Sequence, residues 1–301
     1  MRVLVTGGTG LVGHAVVEHL RHCGDVELNV VSRHPPLCSG SGVNWCKYDL
    51  CAESPLPDEL FAQADCVVHG AAHLPHLKID DYVAASRLNF SVAADIYQKS
   101  VSHGVKKVVY LSGLNFLKKP LASLIDEEHA IGPVTPYALG KLWGELALFS
   151  MLKDSATVPV ALRITSPIPR RVEELHETVI KRWIAAARKG HSVVVYGQGG
   201  RRQDYVSTLD VATAVEHAIR RDVNGVFNVA SGNPVSNFEV ASVIASMYGV
   251  GVEFHGVDNE ENDVWNVSIE RSHRVLGFSP SRTSLDSIRE MIECRGFSDC
   301  L

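Results

Sequence analysis

The sequence predicts an α/β protein, a Rossmann-type doubly wound parallel sheet with a smaller C-terminal α/β substrate domain. Strand-like and helix-like patterns alternate through the first half of the chain, as repeated β-α-β units require. Several strands are continuous apolar runs, which is typical of a parallel sheet covered by helices on both faces. The chain also opens with a strand that leads directly into a glycine turn and a helix. We therefore expect ligands to bind beyond the carboxyl ends of the strands.

Predicted strands and helices largely alternate through the first half. Short apolar runs indicate the strands, and apolar residues three and four positions apart indicate the helices. The predicted strands are Val3–Val5, Leu28–Val31, Cys66–His69, Val108–Leu111 and Val158–Ile164. The predicted helices are Leu11–Leu20, Tyr82–His103 and Pro136–Leu152.

The second half is less regular, and it divides between two predicted domains. Its predicted helices are Val172–Lys189, ended by Gly190, then Asp210–Arg220, Asn237–Tyr248 and Ser284–Glu293. Its predicted strands are Val193–Tyr196 and Val226–Val229, the latter returning to the main sheet. The dinucleotide-binding domain is accordingly expected over residues 1–166 with 205–232, and the substrate-binding domain over 167–204 with 233–301.

Composition excludes several classes of function. A formal net charge of −5 leaves no basic face for nucleic acid or for an anionic membrane surface. No apolar run is long enough to span a bilayer, and the chain starts at its first strand without a leader, so we expect a cytoplasmic protein. No C-x-x-C pair occurs and the histidines do not cluster with carboxylates along the chain, so no metal site is predicted.

The turn after the first strand predicts a dinucleotide site. Gly7 ends the strand in a turn that a Cβ would obstruct, Gly10 lets the backbone approach a pyrophosphate, and Gly13 lets the helix pack closely. The helix N-terminus then offers free N–H groups to the phosphates. The intervening turn residues Thr9, Leu11 and Val12 are predicted to contact the cofactor as well.

Arg33 favours NADP as the cofactor. It ends the second strand about twenty residues after the glycine turn, where a carboxylate would select NAD and an arginine accommodates the 2′-phosphate. NAD stays open, because an arginine also stacks on adenine.

Two further segments are predicted to line the cofactor. Asp49, followed by Leu50, stands where a carboxylate accepts from the adenine amino group, although it equally caps a turn. Gly70, Ala71 and Ala72 end a strand in small side chains, which let a cofactor pass closely or serve packing alone.

Tyr137 and Lys141 are the predicted catalytic pair. They are four residues apart on a helix and so share one face. An ammonium near a phenol lowers the pKa of the phenol, and an oxidised nicotinamide adds a second positive charge. We expect Tyr137 to act as a general acid/base that exchanges a proton with a substrate hydroxyl or carbonyl while hydride moves to or from the cofactor.

These motifs together resemble the extended short-chain dehydrogenase/reductases of the NAD-dependent epimerase/dehydratase type, such as the UDP-sugar 4-epimerases. The resemblance covers nearly the whole chain and its motifs occur in the right order. The matching segments are Thr6–Gly13, Val67–Ala72, Val108–Ser112, Pro136–Lys141, Leu162-Arg163, Asp204-Tyr205-Val206, Asp210-Val211-Ala212 and Phe227–Gly232.

The resemblance implies further site residues and partners. It implies that Asn89 and Thr165 lie near the cofactor, and that a nucleotide-diphosphate sugar lies between the two domains. The residues predicted to bind substrate are His73, Asn115, Ser166, Arg201 and Arg202. It also implies a homodimer, in which the helix Pro136–Leu152 and part of Tyr82–His103 form a four-helix interface.

The chain departs from the family pattern at three positions. Gly113 stands where the family usually has a second Ser or Thr that bonds the reacting oxygen, so Ser112 or Asn115 would have to supply that contact. Ser166 replaces an asparagine, and Gln203 replaces an arginine, although Arg201 and Arg202 lie just upstream as bidentate donors for a diphosphate.

The activity is therefore expected to be NAD(P)-dependent hydride transfer at a secondary alcohol or ketone carbon. Epimerisation follows if the hydride returns to the other face, and net reduction or oxidation follows if the cofactor exchanges. An NADPH-dependent ketoreductase on a non-sugar metabolite is one alternative. A cofactor-sensing binding protein that has lost turnover is another, which Gly113 favours and the Tyr137–Lys141 pair opposes.

Overall fold

The computed structural model describes residues 1–36, 42–50, 56–73, 79–119, 124–133 and 135–294. The strands in these ranges are β1 Arg2–Thr6, β2 Glu27–Ser32, β3 Val43–Lys47, β4 Cys66–His69, β5 Lys107–Gly113, β6 Val158–Ile164, β7 Ser166–Ile168, β8 Val193–Tyr196, β9 Arg202–Gln203, β10 Tyr205–Ser207, β11 Gly225–Val229, β12 Val235–Ser236 and β13 Val252–His255. The helices are α1 Leu11–His22, α2 Glu59–Ala62, α3 Ile79–Ser102, α4 Pro136–Leu152, α5 Val179–Arg188, α6 Thr208–Arg220, α7 Asn237–Tyr248 and α8 Ser284–Glu293.

The main sheet of the described chain has seven parallel strands in the order β11-β6-β5-β4-β1-β2-β3. From β1 the chain adds strands in one direction through β2 and β3, and then crosses over to β4 and adds the rest in the other direction. The strand order therefore reverses between β1 and β4. This reversal opens a crevice at the carboxyl ends of those two strands. The predicted doubly wound Rossmann-type fold is confirmed.

Each face of the sheet is covered by helices, because the strands are apolar on both sides. On one face, Val16 and Leu20 of α1 and Val215 of α6 pack with the sheet residues Val5 and Phe227. On the other face, α3 and α4 supply a second buried cluster, whose helical members are Ala93, Ile96, Tyr97, Leu148 and Leu152.

A separate core forms beyond the main sheet. Its residues come chiefly from α5, α7, α8 and β8, with Trp183, Ile244 and Met291 among the buried side chains. Short strand pairs border this core, namely β7 with β10, β9 with β12 and β8 with β13. The exact domain boundaries stay a prediction, and residues 295–301 of the predicted C-terminal domain lie outside the described ranges.

One predicted helix is wrong in extent. The sequence predicts a helix over Val172–Lys189, but the chain forms only a 3-10 turn at Val172–Glu174 before α5 begins at Val179. The break arises because Thr178 has extended backbone and caps α5, its hydroxyl accepting from the Lys181 N–H at 3.3 Å. Among the described helices, none is both long enough and apolar enough to cross a membrane.

Candidate active site

Four neighbouring strands bring the predicted site residues to one edge of the sheet. The strands β6, β5, β4 and β1 lie side by side and parallel, so their carboxyl ends meet at the same edge. The glycine turn follows β1, the small residues at 70–72 follow β4, Ser112 and Gly113 end β5, and Thr165 follows β6. Residues more than 150 positions apart in the sequence therefore share one crevice.

The glycine turn is fitted so closely that side chains are excluded at two of its positions. Gly7 has a φ of 75°, and a Cβ there would lie 2.6 Å from the Ala71 backbone nitrogen. A Cβ on Gly13 would lie 2.0 Å from the Gly7 carbonyl oxygen. A Cβ on Gly10 would lie 3.3 Å from the Gly7 carbonyl oxygen and would meet no other atom within 4 Å. The other sides of Gly10 therefore face open space. Packing thus requires Gly7 and Gly13, whereas Gly10 leaves room for a ligand.

The N-terminus of α1 is suited to an anion. Gly10 is its N-cap and gives no side-chain cap, and the first turn contains no acidic residue. Leu11 and Val12 are half-buried at the start of this helix, while Thr9 is exposed beside it. The N–H groups and the partial positive charge of the helix end are therefore available to phosphate oxygens.

A buried threonine–histidine pair fixes the crevice where the strand order reverses. The Thr6 hydroxyl and His69 Nδ1 are 2.7 Å apart, and the Ala71 N–H donates to Thr6 Oγ1 at 3.4 Å. Burial lowers the pKa of His69 to about 3, so the imidazole is neutral at physiological pH. No local sequence pattern marks this pair, because 63 residues separate its members.

Asn89 lies close to the crevice but is engaged with the backbone. Its Oδ1 accepts from the His73 N–H at 2.6 Å, and its Nδ2 donates to the His73 carbonyl at 3.2 Å. Because both ends of the amide are used, Asn89 fixes the segment after β4. His73 is half-buried at that position, and Ala72 beside it is exposed.

Tyr137 lies in the first turn of α4. Thr135 caps this helix, its hydroxyl accepting from the Ala138 N–H at 3.1 Å, and Pro136 occupies the first helical position. Burial raises the pKa of Tyr137 to about 12. The sequence analysis expected the opposite direction, from the charge of Lys141, and that expectation is wrong for the chain alone. The phenol is therefore protonated at neutral pH.

Lys141 is held by the end of β5. Its Nζ donates to the Leu111 carbonyl at 2.7 Å and lies 4.6 Å from the centroid of the Tyr110 ring. Burial lowers the pKa of Lys141 to about 8, against the opposing effect of the Glu145 carboxylate. The ammonium is thus positioned by the end of β5 and stays cationic at neutral pH.

Ser112 is held by a buried ion pair that the sequence analysis missed. Its hydroxyl donates to Glu145 Oε2 at 2.7 Å. The same carboxylate accepts from Arg163, whose Nη2 lies 2.6 Å from Oε1, and both side chains are about 95% buried. Glu145 lies four residues after Lys141 on α4, and this helical spacing is the signal that would have found it.

Asn115 lies beside the position where Gly113 lacks a side chain. Its Oδ1 is 3.5 Å from a Cβ built on Gly113, and the residue itself is exposed. Ser112 is the other residue predicted to supply a hydrogen bond here, but its hydroxyl already donates to Glu145. Asn115 is consequently the better placed of the two.

The predicted adenosine contacts are separated from this centre. Arg33 is exposed at the end of β2, next to Ser32, whose hydroxyl and carbonyl both accept from the Trp45 indole. Asp49 is exposed after β3, and Leu50 packs against the apolar cluster under α3. These positions lie along the side of the crevice that β2 and β3 form.

Thr165 is tied to a deeply buried carboxylate. Its hydroxyl donates to Asp204 Oδ1 at 3.1 Å, and Asp204 also accepts from Ser231 and from the Asn233 N–H. Burial raises the pKa of Asp204, although these hydrogen bonds act in the other direction. Thr165 therefore joins the end of β6 to the segment after β11.

The remaining predicted substrate residues already have protein partners. Ser166 and Gln203, the two departures from the family pattern, are hydrogen-bonded to each other. Arg201 pairs with Glu260 at 2.6 Å, and Arg202 pairs with Glu239 at 3.1 Å. A ligand that binds through the same guanidinium nitrogens has to displace these carboxylates.

Residues 3–230 match the model of the NAD dependent epimerase/dehydratase family. The chain belongs to this family. It is 25% identical over 318 residues to a dTDP-glucose 4,6-dehydratase of Streptomyces niveus, covering 97% of this chain and 92% of that one. It is also 25% identical over 307 residues to a UDP-glucose 4-epimerase of Mycolicibacterium smegmatis, covering 97% and 98%. The prediction of an enzyme of the epimerase/dehydratase type is confirmed.

The fold also matches solved structures. One is a UDP-glucuronic acid 4-epimerase of Bacillus cereus in complex with UDP-glucuronic acid and NAD. The TM-score is 0.84 at 18% identity, and the match covers 97% of this chain and 98% of that one. At this identity the likeness concerns the fold.

Proposed function

We propose that this enzyme binds NAD and a nucleotide-diphosphate sugar and transfers hydride at a secondary alcohol or ketone carbon of the sugar. A continuous series of contacts carries the proposal. The Gly7 turn abuts Gly70, Gly70 abuts Leu111, and the Leu111 carbonyl accepts from Lys141. The predicted diphosphate cradle and the helix that bears Tyr137 are therefore joined through three adjacent strands.

The cradle supports a dinucleotide as the cofactor. Gly10 leaves its outer side open, the α1 N-terminus offers N–H groups, and the backbone at 70–71 lies directly against Gly7. NAD is favoured by the family match, and it is the cofactor in the solved complex named above. NADP remains the alternative because Arg33 is exposed. A comparison of the dissociation constants of NAD and NADP decides between the two cofactors. When bound, the nicotinamide supplies a hydride acceptor and donor.

Tyr137 is proposed to handle the proton in this reaction. A phenol with a pKa near 12 donates a proton to a developing alkoxide, and it accepts one readily only when nearby positive charge lowers that pKa. In the chain alone Lys141, held by the Leu111 carbonyl, does not bring about this lowering, so the positive charge of a bound oxidised nicotinamide is proposed to supply it. Asn115 is proposed to orient the reacting oxygen in place of the hydroxyl that Gly113 lacks.

The arginines near β9 are proposed to bind the diphosphate of the substrate. Arg201 Nη1 already lies 2.6 Å from Glu260 Oε2, and a diphosphate would offer the guanidinium a bidentate partner with more negative charge. Glu260 keeps a second cation, Lys119, whose Nζ lies 2.6 Å from Glu260 Oε1. Releasing Arg201 would therefore not leave Glu260 without a positive partner.

The test is to incubate the purified chain with NAD and with UDP- and dTDP-hexoses, and to identify products by NMR and mass spectrometry. A product of unchanged mass indicates epimerisation, and loss of one water indicates dehydration. Net consumption of reduced cofactor by a ketone would instead indicate the ketoreductase. Binding of NAD with no conversion of any of these substrates would contradict the proposed activity and favour the cofactor sensor.

A homodimer is also proposed, through the outer faces of α3 and α4. Phe90 and Trp143 form an edge-to-face pair on this surface with ring centroids 5.7 Å apart, and Trp143 is 43% exposed. Leu146, one turn further along α4, is 53% exposed. A second copy of the chain would cover these side chains with the same two helices.

A further inference from the structure

We propose that His19, Cys23 and Glu216 form a zinc site between α1 and α6. Their ligand atoms, one nitrogen, one sulfur and one carboxylate oxygen, all lie within 4.8 Å of one another. Borderline-soft Zn²⁺ takes this mixed ligand set, whereas Mg²⁺ and Ca²⁺ prefer oxygen donors alone. A bound water would complete a four-coordinate ion.

The helices already direct the three side chains toward one point. His19 and Cys23 are four residues apart at the end of α1 and so share the face that packs on α6. His19 Nε2 lies 2.6 Å from Glu216 Oε2, and Cys23 Sγ lies 3.4 Å from Glu216 Oε1. A tetrahedral zinc with bonds of about 2.0–2.3 Å separates its ligand atoms by roughly 3.3–3.7 Å. The site therefore needs side-chain adjustments of the order of 1 Å and no movement of the helices.

An outer set of contacts orients the carboxylate. Arg220 Nε donates to Glu216 Oε1 at 2.9 Å, which leaves Oε2 for the metal. Arg220 is itself fixed by two hydrogen bonds of 2.7 Å to the Asp25 carboxylate. Metal-binding carboxylates are commonly held in this way by a second layer of hydrogen bonds.

The cluster lies at the end of α1 that is remote from the glycine turn. The helix α1 has 12 residues and so extends about 18 Å from the glycine turn toward the opposite edge of the sheet. Zinc at its far end would tie α1, which follows the first strand, to α6, which precedes the last strand of the main sheet. The site is thus independent of the proposed catalytic centre, and its test requires no activity.

The test is a Co²⁺ titration of the chelator-treated full-length chain, followed by competition with Zn²⁺. We expect one Co²⁺ per chain, with the near-ultraviolet charge-transfer band of a thiolate ligand and the strong visible bands of four-coordination. Cys23→Ser should abolish the thiolate band and weaken binding at least tenfold. Cys46→Ser, which removes another free, half-buried thiol, should change neither. Glu216→Gln should weaken binding while keeping the thiolate band.

Thermal unfolding gives a second measurement on the native chain. Zn²⁺ at a hundred times its dissociation constant should raise the melting temperature by about 5 °C. The proposal is overturned if the native chain binds no stoichiometric Co²⁺, or if Cys23→Ser gives the spectrum and affinity of the native chain. If Cys23→Ser fails to fold, as judged by circular dichroism, the native stoichiometry and Glu216→Gln decide. If the proposal is overturned, the cluster is an ordinary His19–Glu216 hydrogen-bonded pair with a thiol beside it.

Discussion

At the scale of single residues, burial determines how the site titrates. The same low-polarity surroundings raise the pKa of Tyr137 and lower that of Lys141, so each group is pushed toward its neutral form. The Tyr–Lys spacing was recognisable in the sequence, because it depends on helix periodicity alone. The direction of the Tyr137 shift was not, because it depends on how completely the folded chain covers the phenol.

Lys141 provides a prediction about stability and pH. Its pKa is about 8 in the folded chain and near 10.5 when unfolded, so below pH 8 the fold bears the full cost of a buried ammonium. That cost, about 3 kcal/mol for a shift of this size, falls as pH rises from about 8 to about 10.5. Urea unfolding of the native chain and of Lys141→Met should show the native chain gaining stability relative to the variant over that range. A constant difference across it would contradict the assigned pKa.

Glu145 provides a second prediction at this scale. Removing its charge in Glu145→Gln leaves the Arg163 guanidinium buried beside a neutral amide, and should lower the free energy of unfolding by about 3–5 kcal/mol. The matched control is Glu270→Gln, which breaks an exposed helical pair with Arg274 and should cost less than about 0.5 kcal/mol. Equal effects of the two variants in urea unfolding would show that the buried pair contributes nothing special.

At the scale of elements, different glycines of the loop after β1 serve packing and ligand binding. The sequence correctly predicted the strand, turn and helix, because glycine, apolar residues and helix periodicity are local signals. It also assigned Gly7 and Gly13 to packing and Gly10 to the pyrophosphate, but it could not predict that a side chain at Gly7 would meet the backbone at 70–71, which follows β4.

Two glycine variants test that division. Gly13→Ala places a methyl group on the Gly7 carbonyl, and should lower the free energy of unfolding by about 3 kcal/mol or more. Gly10→Ala should cost much less stability than Gly13→Ala, because a Cβ at Gly10 meets only the Gly7 carbonyl oxygen, at 3.3 Å instead of 2.0 Å, but it should weaken NAD binding at least tenfold. Stability comes from urea unfolding and NAD affinity from calorimetry. The assignment fails if Gly10→Ala binds NAD as tightly as the native chain does.

At the scale of the whole molecule, contacts between residues far apart in the chain could not be predicted from the sequence. Ser112 and Glu145 are 33 residues apart, Ser166 and Gln203 are 37 apart, and His19 and Glu216 are 197 apart. No local pattern shows which of these residues pair, although the helical spacing from Lys141 marks Glu145 itself. The parallel sheet and its glycine turn, in contrast, follow from repeated local patterns. The fold class was therefore predictable in full. For the site, the sequence proposes the Tyr–Lys pair and the dinucleotide turn, and their roles stay predictions.

The proposed dimer yields a prediction at this scale. Leu146→Asp places a charge in the middle of the exposed apolar surface of α3 and α4, and should convert a dimer to a monomer in size-exclusion chromatography with light scattering. Phe254→Asp is the control, because Phe254 is 47% exposed on β13, away from those helices. A native chain that is monomeric at micromolar concentration would contradict the interface outright.

The central claim is that the phenol of Tyr137 exchanges a proton with substrate while hydride moves at the adjoining nicotinamide. Its most direct test is the turnover number of Tyr137→Phe beside its NAD dissociation constant. We expect turnover to fall by about 10² to 10⁴-fold, with NAD affinity within about twofold of the native value, because the hydroxyl acts on substrate. Turnover that is unchanged in Tyr137→Phe would contradict the account.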